Sequence, residues 1–220
     1  MSGAGPERTA AIAARVERFV REVVVPYERD PRRDHHGAPT DALVAELKEK
    51  ARAAGVLTPH ILADGTHLTQ RETAVVLIKS GLSPLGPLAC NTMAPDEGNM
   101  YLLGKVGSPE IKEGFLKPLV EGRARSAFFM TEPWHEGGAG SDPSMMQTTC
   151  RLDGNHWVIS GRKAFITGCE GAGGEGEGVG HARDRCAPHG CALSRHRRAL
   201  SQRSTAAGTA PGRSCCALLP

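Results

Sequence analysis

The chain changes character at Gly168. Residues 1–168 carry 20 Lys and Arg against 20 Asp and Glu, whereas residues 169–220 carry seven Arg, no Lys and four acids. The whole formal net charge of +3 therefore comes from the final stretch. That stretch also holds five of the seven cysteines and nine of the 27 glycines, and it has no Ile, Phe, Met, Trp or Tyr. Its sizeable aliphatic residues are Val179, Leu193, Leu200, Leu218 and Leu219. So few apolar side chains cannot bury enough surface to offset the entropy of ordering, and a disordered tail is expected over 169–220. The folding problem is confined to the first 168 residues, enough for one or two domains with a substantial core.

Residues 126–168 read as β-structure. Phe128, Phe129 and Met130 make an apolar run that Pro133 stops, because proline donates no ladder hydrogen bond. Trp157-Val-Ile and Phe165-Ile-Thr give later runs, with Ser160-Gly161 between them as a turn signal. Gly137-Gly-Ala-Gly-Ser-Asp142 is a glycine-rich loop whose unobstructed N–H groups, followed by the Ser141 hydroxyl, suit an anion such as a phosphate. On residue pattern alone, Phe128 and Phe165 also read as core aromatics, and Thr131 and Thr167 as β-formers.

Residues 1–125 read as helices with short loops. Ile12, Val16, Phe19, Val20 and Val23 share one face of a helix over 6–29, whose clean pattern Pro26 ends. Thr40 stands as an N-cap before Leu43, Leu47 and Ala51, with Gly55 as the stop. Thr69 and Glu72 have capping-box spacing at the head of a helix carrying Ala74, Val75, Leu77 and Ile78, which Gly81 and Pro84 break. Residues 96–106 read as helix, and Ser108-Pro109-Glu110 begins another with Ile111, Phe115, Leu116 and Leu119. The charged residues here sit at surface spacing, and none reads as catalytic.

Several function classes lose support. No apolar run approaches the length that crosses a bilayer, and no signal-peptide core opens the chain. Cys90 and Cys150 alone precede residue 169, so no disulfide framework is expected, and a cytoplasmic protein is the default. His35-His36 lacks a partner at ligand spacing, and no metal site is assigned. In the tail, Gly171–Gly176 formally fits a dinucleotide loop but has neither the preceding strand nor the following helix. Cys186, His189 and Cys191, with His181 and His196, are too irregular for a zinc motif, and seven arginines without aromatics do not make a nucleic-acid surface.

Three ordered elements carry a family resemblance. Met130-Thr-Glu-Pro133, then Gly138-Ala-Gly-Ser-Asp142, then Gly161-Arg-Lys-Ala-Phe-Ile-Thr-Gly168 resemble the flavin-binding middle domain of acyl-CoA dehydrogenases. Asn91-Thr-Met-Ala-Pro-Asp-Glu-Gly-Asn-Met100, with Gly104 and Leu119-x-x-Gly122, is similar to that family's helical N-terminal domain, most of all in the branch of members ten and eleven. The resemblance covers about residues 6–168.

It implies an α+β architecture: a helical N-terminal domain over 1–125, a partial antiparallel flavin-binding β domain over 126–168, and the tail over 169–220. The implied chemistry is α,β-dehydrogenation of an acyl-CoA, in which a carboxylate removes the α proton and hydride passes to FAD. Carried over residue by residue, the cofactor contacts fall on Phe128, Met130, Thr131, Ser141, Phe165, Ile166 and Thr167, and Ser141 also stands for a CoA contact. Trp134-His-Glu136 lengthens the loop relative to the commonest family form, which bears on the role of Ser141. Glu132 is not assigned as the base. The resemblance further implies an electron-transfer flavoprotein or similar acceptor and a homo-oligomer. The helical domain that supplies the family's glutamate and oligomer interface has no counterpart here, so no catalytic residue is assigned and little turnover is expected from this chain alone. The tail is read as an out-of-frame translation, and a non-catalytic fragment or interaction subunit that needs a partner chain is the alternative.

Overall fold

The computed structural model describes residues 5–33, 38–153 and 156–168, with three short strands at 186–187, 190–193 and 217–219. His35-His36 and the glycine run 171–176 lie outside the described residues. The chain divides into two units, Met1–Ala124 and Arg125–Pro220, each with its own architecture.

The first unit is helical. Helix α1 (Pro6–Phe19) passes into a widened π turn at Val20–Val24 and a 3-10 turn at Val25–Arg29, so the run extends to Arg29 with changing pitch. The same device recurs later, where α6 (Pro109–Ile111) passes through a π turn at Lys112–Leu116 into α7 (Lys117–Val120). Both widened turns stand just ahead of a proline inside the run, Pro26 and Pro118. A proline ring collides with the carbonyl four residues back, and a wider turn moves that carbonyl away.

Helix α2 (Asp41–Ala53) is capped by Thr40 Oγ1, which accepts from the Leu43 N–H. It buries Leu43, Leu47 and Ala51, which join Val16, Val20, Val24, Leu68 and Val76 in the main core. Helix α3 (Gln70–Ser80) begins with the expected capping box. Glu72 does more than close it. Its Oε2 accepts from the Thr69 N–H at 2.9 Å, while Oε1 accepts from the Gly5 N–H at 2.9 Å, tying the start of α3 to the start of α1. The face that α3 buries is Thr73, Val76 and Ser80 rather than the stripe through Val75 and Ile78, which are 47% and 68% exposed. α3 packs against α1, and its buried face is rotated from the most apolar one, with the Ser80 hydroxyl met by Thr92 and the Leu77 carbonyl.

Helix α4 (Gly86–Ala89) was not foreseen, being too short for periodicity to reveal. A Cβ at Gly86 would run into the Ser80 carbonyl, so this glycine marks a close approach rather than a break. Helix α5 (Asp96–Val106) contributes Met100 and Leu103 to a second cluster with Leu119. The carbonyls of residues 119–122, at and just beyond the end of α7, are all met by side chains. Asn91 Nδ2 donates to Leu119 O at 2.8 Å, Thr58 Oγ1 to Val120 O at 2.6 Å, Arg52 to Glu121 O at 2.8 Å and Lys48 to Gly122 O at 3.2 Å. Thr58 and Asn91 hold positive φ angles of 51° and 55° to reach them, a conformation uncommon for side-chain-bearing residues. Among the described residues no helix is long and apolar enough to cross a membrane.

The second unit is built on antiparallel strands. Strands β2 (Thr149–Asp153) and β3 (His156–Lys163) form a hairpin in the register Thr149↔Ser160 and Asp153↔His156. β1 (Ala127–Phe129) precedes them. Within 169–220, β4 (Cys186–Ala187) and β5 (Gly190–Leu193) complete a sheet of order β2-β3-β5-β4, and β6 (Ala217–Leu219) pairs with β1. An open strand edge offers N–H and C=O partners whatever the side chains, which is how an apolar-poor segment contributes strands. The turn expected at Ser160-Gly161 is absent: β3 runs straight through it. A Cβ at Gly161 would strike the Thr148 side chain, so close approach explains this glycine too. Phe165-Ile-Thr is correspondingly a bend and turn beyond β3, not a strand.

Replacing Thr69 by Ala should cost about 1 kcal/mol through the lost cap. Asn91→Ala, which removes the buried side-chain donor to Leu119 O and Thr58 Oγ1, should cost about 1–3 kcal/mol. Urea unfolding of the two variants beside the parent checks both the values and their order.

Candidate functional site

A charged residue in a β-run must point to water or find a buried partner. Glu132 and Lys163 take the second course, with side chains 2% and 0% exposed and Nζ to Oε1 at 3.0 Å. Lys163 Nζ also donates to the Met130 carbonyl at 3.0 Å. Glu132 Oε1 further accepts from the Thr148 N–H at 2.8 Å and the Thr148 hydroxyl at 2.5 Å. Its Oε2 accepts from the Gln147 N–H at 2.8 Å and the Ala139 N–H at 3.2 Å. One carboxylate thus gathers the strand exit at 130–132, the glycine loop, the segment before β2 and the end of β3.

This arrangement fixes the acid's ionisation. Burial by itself would push the Glu132 carboxyl up, but the hydrogen bonds from Thr148, Gln147 and Lys163 together outweigh it and hold the group down at about 2. A carboxylate so saturated with donors is not available as a proton acceptor, which agrees with leaving it unassigned as the base.

The backbone carries the same knot further. The Ala164 N–H donates to Thr131 O at 2.9 Å, and the Glu132 N–H donates to Gly140 O at 2.9 Å. The expected cofactor residues Met130 and Thr131 are therefore brought beside the Ala164–Thr167 turn, with Ser141 one residue past the Gly140 contact. Phe128 and Met130 are half-buried, Ile166 is half-buried, and Thr167 and Ser141 are exposed. Phe165 is 83% exposed and has a φ of +58°. A bulky aromatic held both in the left-handed region and in water is costly on two counts, the combination that marks ligand-contacting turns.

The glycine loop behaves differently from a free phosphate cradle. The N–H groups of Gly137, Gly138 and Ala139 donate to Trp134 O, Pro133 O and Glu132 Oε2, so the anion this part of the loop wraps is the protein's own. Sequence reasoning missed Lys163 and Thr148 as the residues that organise this edge. The available signal was a lysine in an apolar β-run alongside an acid in another.

Lys163→Met leaves the Glu132 charge buried and unpaired, and should cost about 3–5 kcal/mol. The carboxyl's folded value lies below its ordinary 4.5, so its stabilisation is present in full above that value and is lost as pH falls toward about 2. Denaturant midpoints across that interval should fall for the parent chain, and the fall should be shallower in Lys163→Met.

Residues 6–123 match the acyl-CoA dehydrogenase N-terminal domain. The chain is 33% identical over 164 residues to acyl-CoA dehydrogenase family member 11 of Gallus gallus, which covers 71% of this chain and 21% of that protein. It is 35% identical over 162 residues to family member 10 of Mus musculus, covering 68% of this chain and 15% of that protein. A solved Mycobacterium abscessus structure assigned as an acyl-CoA dehydrogenase superposes with a TM-score of 0.63 at 37% identity, over 76% of this chain and 44% of that one. The chain thus spans 21% and 15% of the lengths of these two curated relatives. With a domain match over more than half of its residues and the same helical and antiparallel architecture, this chain belongs to the acyl-CoA dehydrogenase family.

Proposed function

We propose that this cytoplasmic chain provides part of the FAD- and acyl-CoA-binding surface of an acyl-CoA dehydrogenase and does not turn over substrate by itself. The observation that carries the reading is the strained, exposed Phe165, on a turn tied back to the strand exit by Ala164 N–H to Thr131 O and Lys163 Nζ to Met130 O. A planar, partly polar heteroaromatic such as a flavin suits it: apolar faces come from Phe128, Met130, Phe165 and Ile166, and hydroxyls from Thr131 and Thr167. FAD bound there would supply the hydride acceptor for oxidation of the acyl chain.

The chain's own residues would bind and orient. The Thr131 and Thr167 hydroxyls would hydrogen-bond the ring, Phe165 would stack beside it, and Ser141 would meet phosphate or CoA. Among the described residues of this edge, neither acid is poised as a proton acceptor. Glu132 is buried and saturated, and Asp142 is engaged by the Ser144 N–H and hydroxyl. Turnover therefore requires a carboxylate supplied in addition, either by further chain or by a partner, and an electron-transfer flavoprotein or similar acceptor would reoxidise the cofactor. A homo-oligomer is the expected assembly.

The visible spectrum of the purified protein, recorded with and without added FAD, tests this. Bound flavin that does not bleach with acyl-CoA is the expected result. Bleaching would show that a base is present and sink the turnover part of the reading. Soluble protein with no affinity for FAD would sink all of it. Phe165→Ala should weaken FAD binding roughly two- to tenfold, the worth of an aromatic contact of about 0.5–1.5 kcal/mol, without altering the unfolding midpoint.

A further inference from the structure

The helical unit holds a second group of unspent donors. His60 and His67 flank a tight reversal closed by Leu68 N–H to His60 O and Leu62 N–H to Thr66 O, both 2.9 Å, with Ile61 and His67 bridged. The reversal sets the two rings 5.2 Å apart, centre to centre. Glu97, in the first turn of α5, faces them: His67 Nε2 and Glu97 Oε1 are 3.8 Å apart. Tyr101, one turn further along α5, lies edge-on to His67 at 5.1 Å and steadies the ring.

Buried imidazoles ordinarily have partners. His60 is fully buried, yet neither of its ring nitrogens makes a hydrogen bond, and His67 Nε2 makes none either. The other nitrogen of His67 is spoken for. Nδ1 lies 2.6 Å from Leu68 O, and since a carbonyl only accepts, Nδ1 carries the proton and the Nε2 lone pair points away from the backbone. A ring that donates one N–H to a carbonyl while its other nitrogen is left open is the arrangement that orients histidines on metals. Leaving buried polar atoms unmet is expensive, so three such atoms in one place call for an occupant.

We propose that His60, His67 and Glu97 form a binding site for a divalent transition-metal cation of the zinc type. One donor atom from each lies within 4.8 Å of the others. Bonds of ~2 Å to a zinc ion need donors about 3–4 Å apart, and the partly exposed Glu97 side chain is the one that would turn toward the two imidazoles. Two imidazoles and one carboxylate suit zinc, copper or nickel and leave a position for water. His67 also lines a cavity of about 520 Å³ within the same unit. The site uses none of the residues of the flavin reading and stands or falls apart from it.

The test is titration of the metal-stripped full chain with Zn²⁺ against a chromophoric chelator, with Co²⁺ as the spectroscopic reporter. One equivalent should bind, with cobalt bands of nitrogen–oxygen rather than thiolate ligation, and Zn²⁺ should raise the melting temperature. His67→Asn keeps a donor for Leu68 O but removes Nε2, and Glu97→Gln keeps the shape but removes the charge. Each should weaken binding at least about tenfold, the loss seen even for outer-shell partners. Absence of binding to the parent chain overturns the proposal. So does binding of undiminished strength in both variants, or thiolate bands in the cobalt spectrum, either of which would place the ion on the tail's cysteines.

Discussion

Inside the second unit, a lysine and a glutamate meet at 3.0 Å with almost no water around them. Such a pair contributes little net stability compared with a well-packed apolar one, since desolvating two charges offsets most of their attraction. Its value is positional. Five donors converge on one carboxylate from Ala139, Gln147, Thr148 and Lys163, and together they fix three separate stretches of chain. An apolar plug would fill the same space but would not specify where the Met130 carbonyl or the glycine loop must lie.

The helical unit solves its own problem differently. Two of its long runs contain prolines, and both absorb them by loosening the preceding turn rather than by ending. The runs therefore keep their apolar faces in register with the core: Val16, Val20 and Val24 are all fully buried although a change of pitch falls among them. At α3, by contrast, tertiary hydrogen bonding overrides hydrophobicity: Thr73 and Ser80 go inside, where Leu68 O and the Thr92 hydroxyl meet them, while Ile78 stays out.

These cases mark what the sequence made legible. Caps were readable because they are local: Thr40, Thr69 with Glu72, and Ser108 each act within three residues. The family was readable because three ordered motifs are local as well. Gly161 was misread because a glycine required by a neighbouring Thr148 side chain looks, in one dimension, like a glycine required by a turn. Phe165 showed its identity but not its exposed, left-handed conformation. The Glu132–Lys163 pair spans 31 residues and the His67–Glu97 approach spans 30, separations at which spacing carries no information and only the fold brings the partners together.

The carbonyls that end α7 are each answered by a side chain from residues 48–91, so the helical unit closes on itself at Gly122. The matched N-terminal domain ends one residue later, at 123. A segment sealed in this way behaves as a cassette. The carbonyls of residues 119–122 take their donors from within the unit, so the code for this helix end is written upstream of Ala124. Over evolutionary time such a seam lets the downstream sequence diverge, or be exchanged outright, without erasing the half that already folds.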